Sequence, residues 1–175
     1  TNGGYLVKKT LDNSETFNFR DVNGYCYGFV RSYYNIDLEK LFRTVSPRQS
    51  QIDNTLVIWI ATDKNFETKI VGWYKDATIY KKERRDASLI NSEYNLNYRI
   101  KAKSDNCFLL PEENREFTIN RMLAAGSGIG KGRSNIWYAN SRYDMNVLIP
   151  MVLDYIENYD GEYVNNNLQL QVDRN

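Results

Sequence analysis

The chain has 175 residues, 42% of them hydrophobic, which is typical of one globular domain with a real core. Its 23 Lys and Arg residues nearly balance its 22 Asp and Glu residues, so any contact with nucleic acid must come from a local basic patch. The absence of histidine excludes hydrolases with a histidine base, HNH-type nucleases and the common zinc sites.

The cysteine count and the hydropathy pattern indicate a cellular compartment. Two cysteines are too few for the disulfide framework of a small secreted module, so we interpret Cys26 and Cys107 as reduced, buried thiols. No apolar run approaches the roughly 20 residues that span a bilayer, and the N-terminus does not resemble a signal peptide. We therefore expect a soluble cytoplasmic protein with no membrane partner. Because it begins at Thr1 rather than methionine, we also expect a processed terminus or a piece of a longer protein.

Strand patterns dominate the first half of the chain. The predicted strands are Tyr5 to Lys9, Tyr25 to Val30, Thr55 to Ala61, Lys69 to Tyr74 and Ala77 to Lys82, the last as a further strand or a bulged continuation. A short helix is predicted from Asn35 or Asp37 to about Arg43, and Pro47 ends that segment.

The second half adds three strands and one helix. The predicted strands are Tyr94 to Lys103, Cys107 to Leu110 and Glu116 to Ile119, with a turn at Pro111 to Asn114. Apolar residues at helical spacing predict a helix from about Tyr143 to Tyr159. Pro150 should either bend this helix or move its true start to a later residue.

Element lengths predict the fold class. The connections are too short for repeated βαβ units, so we predict an α+β fold. It has a mixed, largely antiparallel curved sheet or a small partly closed β-barrel, with two or three packed helices. Residues 1–161 form one domain in this interpretation, and residues 162–175 form a polar, flexible tail.

Aromatic residues beside glycines suggest a base-stacking site. The tract Thr55 to Lys82 carries Trp59 and Trp73, and Trp137 and Tyr138 follow the glycine-rich, basic stretch AAGSGIGKGRSN at residues 124–135. Apolar neighbours favour a core role for Trp59, whereas a glycine precedes Trp73 and could open the strand to a ligand. For Trp73 and Trp137 the pocket and core roles both remain open.

Cations occur in three groups. One face of the strand that ends at Lys103 is basic, and two other stretches are rich in Lys and Arg. The candidate phosphate-binding residues are Lys81, Lys82, Arg84, Arg85, Arg99, Lys101, Lys103, Lys131, Arg133 and Arg142. A single charged run is usually a solvated face, so only convergence of these groups would indicate a phosphate-binding surface.

Two segments carry a family resemblance. The passage from NTLVIWIA to KIVGWYKDATIY resembles the paired strands of PUA-like domains, above all their EVE and YTH branches, and GRSNIWYA resembles a segment of the recognition modules of modification-dependent restriction enzymes. The likeness covers roughly residues 50–160. It implies a PUA-like fold with a pocket that accepts a flipped, modified base between aromatic rings. Stacking on such rings returns about 1 to 3 kcal/mol per base, enough for two or three rings to offset extrusion.

The resemblance implies that this chain is a reader of modified double-stranded DNA rather than an enzyme. The base-pocket residues we predict are Trp59, Trp73, Tyr74, Asp76, Ser134, Asn135, Trp137 and Tyr138. We predict no cofactor, no metal and no catalytic residue. Cleavage would then belong to an attached or associated nuclease or NTPase subunit of a restriction system.

Two other functions remain open. Asp53, Glu67 and Lys69 have the D…ExK order of PD-(D/E)xK nucleases, in which two carboxylates hold magnesium and the lysine activates water. Alternatively, the aromatic surface contacts a partner chain in a protein-interaction domain.

Overall fold

A computed structural model describes residues 17–32, 34–42, 45–85, 97–119 and 135–164 of the chain. Within these ranges the strands are β1 (Tyr25–Gly28), β2 (Gln51–Thr62), β3 (Thr68–Arg85), β4 (Asn97–Lys103), β5 (Cys107–Leu109) and β6 (Thr118–Ile119). The α-helices are α1 (Leu38–Leu41) and α2 (Ile149–Glu157). The α+β class is confirmed. The strand predicted at Tyr5 to Lys9 lies outside the described residues.

Strand β3 is the central strand of the sheet. Its 18 residues pair with β2 on one side, and with β6, β5 and β4 at successive positions on the other, while β1 pairs with β4. Every pairing is antiparallel. Since β1 and β2 stand at opposite ends of the strand order β1-β4-β3-β2, the described strands form an open sheet. The predicted barrel closure is wrong for this part of the chain, because closure requires the edge strands to pair.

Three bulges bend the β2–β3 ladder. Between the pairs Trp59↔Gly72 and Ile60↔Ile70 strand β3 has one extra residue. In the other two bulges, strand β2 has one extra residue between Ile52↔Ile79 and Thr55↔Ala77, and strand β3 has one between Thr55↔Ala77 and Val57↔Tyr74. Asn54 and Asp76 lie in these bulges at φ 53° and 50°, a conformation that Asn and Asp tolerate better than most residues. The bulged continuation predicted after Tyr74 is therefore confirmed as part of one long strand.

The sheet has a hydrophobic core on each face. Trp73 and Tyr74 are consecutive in β3 and point to opposite faces, as side chains in a strand do. On one face, Tyr74 packs with Cys26, Ile79 and Ile100 in what we call the Tyr74 core. On the other, Trp73 packs with Ile70, Leu110, Ile119 and two residues of α2, Val152 and Ile156, in what we call the Trp73 core.

Pro150 determines how the last helix is built. A π-helical turn, Asp144–Leu148, runs directly into α2, and the proline sits in the first turn of α2. Because proline has no N–H and its ring crowds the carbonyl four residues earlier, a wide turn before it relieves the conflict. The predicted later start of the regular helix is confirmed.

Packing continues past the predicted domain end. Tyr163 lies against Phe108, with ring centroids 5.0 Å apart, and the Val164 N–H donates to the Leu109 carbonyl at 2.9 Å. The ordered domain therefore extends at least to Val164, and only the remainder of the predicted tail lies outside the described residues.

Candidate nucleic-acid interface

Trp73 and Tyr74, two of the predicted base-pocket residues, lie in the two cores. Trp73 is 1% exposed and contacts the rings of Phe108, Tyr155, Tyr159 and Tyr163. Tyr74 is fully buried, and its hydroxyl donates to the Asn18 carbonyl. Neither side chain can wall a cleft for a base, because each face of β3 is covered at this point. The pocket assignment of these two residues is corrected to a core role.

The other predicted rings divide between the same two faces. Trp59 pairs with Gly72 and therefore faces the Tyr74 side, where its ring lies 5.4 Å from that of Tyr74. Tyr138 packs half-buried against the same core, whereas Trp137 packs half-buried against the Trp73 core. The sheet thus separates rings that we expected to share one hollow.

The space above Gly72 is filled by protein. A Cβ at this position would lie 2.6 Å from Cζ of Phe19 and would also meet the Phe108 carbonyl oxygen. Gly72 is therefore required for close packing of β5 and Phe19 on β3. The expected opening to a ligand is absent at this position.

Two of the polar residues predicted for the base pocket, Asp76 and Asn135, form hydrogen bonds within the protein. Asp76 is the bulge residue with positive φ, and it accepts a hydrogen bond from the Asn106 side chain at 3.3 Å. The Asn135 side chain donates to the Arg31 carbonyl at 2.8 Å, and Ser134 lies outside the described residues. Two surface cavities formed by the described part of the chain have none of the predicted pocket residues in their linings.

Two of the three basic groups do converge. Strands β3 and β4 pair through Arg84↔Tyr98 and Thr78↔Lys101, which brings the KKERR stretch beside the basic residues of β4. Strand β1 adds the pairs Tyr25↔Lys103 and Tyr27↔Lys101. The exposed cations of this region are Lys82, Arg84, Arg85 and Lys103, and Lys101 is half-buried. The third group is not brought in: Lys131 and Arg133 lie outside the described residues, and Arg142 is exposed just before the π-helical turn.

Tyrosine rings lie beneath two of these cations. Lys101 Nζ is 4.1 Å from the ring centroid of Tyr25, and the Arg84 guanidinium carbon is 5.0 Å from that of Tyr80. Tyr27 and Tyr98 connect the two pairs, with centroids 4.9 Å apart. We call these four tyrosines with Lys82, Arg84, Lys101 and Lys103 the tyrosine–cation surface. Arg85 follows Arg84 directly and therefore points to the opposite face of β3.

Three predicted phosphate-binding cations have protein partners. Arg99 is 6% exposed, and its guanidinium donates to the carbonyls of Lys81 and Ser32 at 3.3 and 3.4 Å. The Lys81 ammonium donates to the Pro47 carbonyl at 3.0 Å, and Arg85 donates to the Asn97 side chain at 2.8 Å. Arg99 is corrected to a structural role because burial keeps it from phosphate. Arg85 stays exposed and retains donors for a ligand.

The four tyrosines of this surface are absent from the predicted site. The alternation of Tyr25 with Tyr27, and of Tyr80 with Lys82 and Arg84, was the available signal. Its meaning depends on the β1–β4–β3 pairing, which no single stretch of sequence discloses.

The residues of the nuclease alternative lie apart. Lys69 contacts Glu67 at 3.2 Å and Asp63 at 3.4 Å, at the β2–β3 turn. Asp53 lies near the other end of β2, about 25 Å or more from that turn at ~3.3 Å per residue. In addition, the described residues contain no cluster of three Asp, Glu or Cys side chains suited to a metal ion. The predicted D…ExK arrangement is therefore not assembled.

The Asp63 carboxylate organises that turn. It accepts hydrogen bonds from the backbone N–H groups of Asn65 and Glu67 at 2.8 and 2.9 Å. Its pKa is lowered: desolvation, which raises it, is outweighed by these two bonds and by Lys69. The geometry is that of an Asx turn that closes a hairpin.

Both cysteines are free and buried, as predicted. The pKa of the Cys107 thiol is raised far above its ordinary value, first by its hydrogen bond with Cys26 and then by burial. Such a thiol stays protonated and unreactive. Among the helices in the described ranges, none has the length and apolar character required to cross a bilayer.

Comparison with known proteins identifies no relative. Family models, curated protein sequences and solved structures all fail to match this chain.

Proposed function

We propose that this chain is a DNA-binding domain that contacts the phosphate backbone through the tyrosine–cation surface. The observation that supports it best is the convergence of two basic stretches, separate in sequence, on the adjacent strands β3 and β4. The surface carries four cations, Lys82, Arg84, Lys101 and Lys103, and Arg85 is exposed beside it. The exposed acids nearby are Asp53, Glu83 and Asp105. Such a local excess of positive charge suits a polyanion even though the whole chain is nearly neutral.

The tyrosines favour nucleic acid over a simple anion. Tyr25 and Tyr80 are half-buried, so each presents part of a ring beside a cation. Rings and cations in alternation match a sugar–phosphate chain whose bases and phosphates also alternate. Buried Tyr27 and Tyr98 pack against these two half-buried rings and hold them in place.

Selectivity for a modified base is the finer part of the proposal, and the resemblance to PUA-like readers supports it. Trp73 and Tyr74 are buried in the Trp73 core and the Tyr74 core. The rings that we propose for base contact are therefore the half-buried Trp59 and Tyr138, both of which pack against the Tyr74 core. In this proposal the chain supplies recognition, and an associated nuclease or NTPase subunit supplies the chemistry.

Binding to matched DNA duplexes tests the proposal. Fluorescence anisotropy is measured without metal on plain, methylated and hydroxymethylated duplexes at several salt concentrations. We expect tighter binding to one modified duplex and a steep loss of affinity with salt. Each phosphate contact contributes about 0.9 to the slope of log K against log salt, so Arg84→Ala should lower the slope by about one unit. Lys64→Ala removes an exposed cation at the distant β2–β3 turn and should leave it unchanged.

Each contrary outcome has a distinct meaning. Failure to bind any duplex at low salt would overturn DNA binding altogether. Equal affinity for all duplexes would overturn base selectivity alone. Magnesium-dependent cleavage that Glu67→Ala abolishes would favour the nuclease alternative.

A further inference from the structure

The end of the molecule near α2 is acidic, in contrast to the tyrosine–cation surface. Between β5 and β6, and from α2 onward, the exposed acids are Glu112, Glu113, Glu116, Asp154, Glu157, Asp160 and Glu162. Arg115, the one cation among the described residues of these two stretches, donates inward to the Leu110 carbonyl at 2.9 and 3.1 Å. Within the described part of the chain, Glu116, Asp154 and Asp160 form no ion pair.

An open groove of about 570 Å³ lies among these acids. Glu116, Asp154 and Asp160 line it together with Phe117, Tyr155 and Tyr159. The rings form a continuous wall, with centroids 5.1 Å apart for Phe117 and Tyr155 and 5.9 Å apart for Tyr155 and Tyr159. Acids and ring faces are the two groups that attract a cationic side chain.

The wall is held in place from behind. Tyr155 and Tyr159 pack on Trp73, with centroids 6.3 and 5.7 Å away, and the Asn114 side chain donates to the Tyr159 hydroxyl at 3.3 Å. The pKa of Tyr155 is raised, first by burial and then by Tyr159 and Glu116. The groove is therefore preformed and needs little ordering on binding.

An apolar ridge continues from the groove along the helix. Met151 lines the groove and is 53% exposed, and Val147, one helical turn earlier and 39% exposed, adds apolar surface on the same side of the helix. Large apolar side chains are costly to leave in water, and a contiguous group of them indicates a contact surface. A partner must therefore bring both cations for the groove and apolar side chains for the ridge.

We propose that this acidic aromatic groove and its apolar ridge bind a basic amphipathic segment of another protein. Lysine or arginine side chains enter between Glu116, Asp154 and the tyrosine rings, while apolar side chains cover Met151 and Val147. The same acids repel a phosphate backbone, so this face differs in ligand from the tyrosine–cation surface. The two surfaces allow one chain to hold DNA and a protein partner at once.

A designed peptide tests the groove directly. The probe is a labelled amphipathic helical peptide of leucine and lysine, and the comparison peptide has glutamate in place of lysine. We expect only the lysine peptide to bind, with backbone amide NMR shifts confined to α2 and residues 114–117. The double variant Glu116→Gln with Asp154→Asn should raise Kd about tenfold. Met151→Ser should raise it about tenfold by a different route, since it removes apolar contact.

The matched control removes the same number of negative charges at positions outside the groove. Glu113→Gln with Glu157→Gln removes two exposed acids that do not line it, and should change Kd by about twofold or less. Equal weakening by both double variants, or NMR shifts centred on β3 and β4, would overturn the proposal. A concentration-dependent dimer of the protein alone that Met151→Ser dissociates would overturn it in favour of a second copy of this chain. Thermal unfolding of each variant verifies that the fold is retained.

Discussion

The two halves of strand β3 have opposite environments. From Thr68 to Tyr74 the strand is flanked by β2 and by β5 and β6, and both of its faces are covered. From Lys82 to Arg85 the side chains are exposed, and the partner strand is β4. The difference teaches that the aromatic half stabilises the fold, and that the basic half is available to a ligand. Substitutions in the first should change stability, and substitutions around the second should change binding.

Trp73→Ala should have the largest effect. Truncation of a side chain this large and buried costs about 3 to 5 kcal/mol of unfolding free energy. Chemical denaturation measures the loss, and Trp73→Phe, which retains a ring, should cost clearly less. If Trp73→Ala kept full stability and lost only the preference for a modified duplex, the core assignment would be wrong and the pocket assignment right.

Gly72→Ala should come next, at about 1 to 3 kcal/mol, because the new methyl group collides with Phe19 and with the backbone of β5. The same denaturation experiment applies. Gly24→Ala is the comparison: its Cβ meets no atom within 4 Å, but its φ of 81° is strained for alanine, which costs about 1 kcal/mol. Equal losses at both sites would argue against a close approach of β5 at Gly72.

Arg99 and Lys101 provide a matched pair within β4. Arg99→Gln should cost about 1 to 3 kcal/mol of stability, since two half-buried carbonyls lose a charged donor. Lys101→Gln should change stability by about 1 kcal/mol or less and lower the salt slope of DNA binding by about one unit. A reversal, with stability lost at Lys101 and DNA affinity lost at Arg99, would show that the two side chains are wrongly assigned.

Ionisation of Tyr74 should have the smallest effect on stability at neutral pH. Burial raises the pKa of Tyr74 well above the ordinary value of 10.0. The unfolded chain therefore loses this proton first, so stability is full below about pH 10 and falls as pH rises through the folded pKa. Unfolding measured from pH 8 to 11 should show this decline, and Tyr74→Phe should reduce its steepness. Tyr155 and Tyr163, whose pKa values are also raised, contribute in the same direction. An unchanged slope in Tyr74→Phe would show that groups other than Tyr74 cause the decline.

Local patterns predicted the elements well. Alternation located the strands around Trp59, Trp73 and Ile100, and helical spacing together with Pro150 located the last helix and its late start. These features depend on residues close in sequence, whose period of two or 3.6 is fixed by backbone geometry. The burial of both cysteines followed equally from composition and size.

The candidate site was predicted only in part. The KKERR stretch and the basic face of the next strand were identified, but the opposite facing of Trp59 and Trp73 follows from a register with bulges. One extra residue in a strand reverses which face later side chains occupy, so no local pattern could assign them. The structure likewise separated Arg99 from Lys101, which the alternation placed on the same basic face.

The sequence by itself determined the α+β class, the strand positions, the reduced thiols and the basic stretches, because each depends on composition or on short-range periodicity. Only the tertiary structure decided that the sheet stays open, that Trp73 and Tyr74 fill opposite cores, and that tyrosines from three strands support one set of cations. These outcomes depend on strand pairing across long separations in the chain, where register and packing are set by the whole sheet rather than by any one segment.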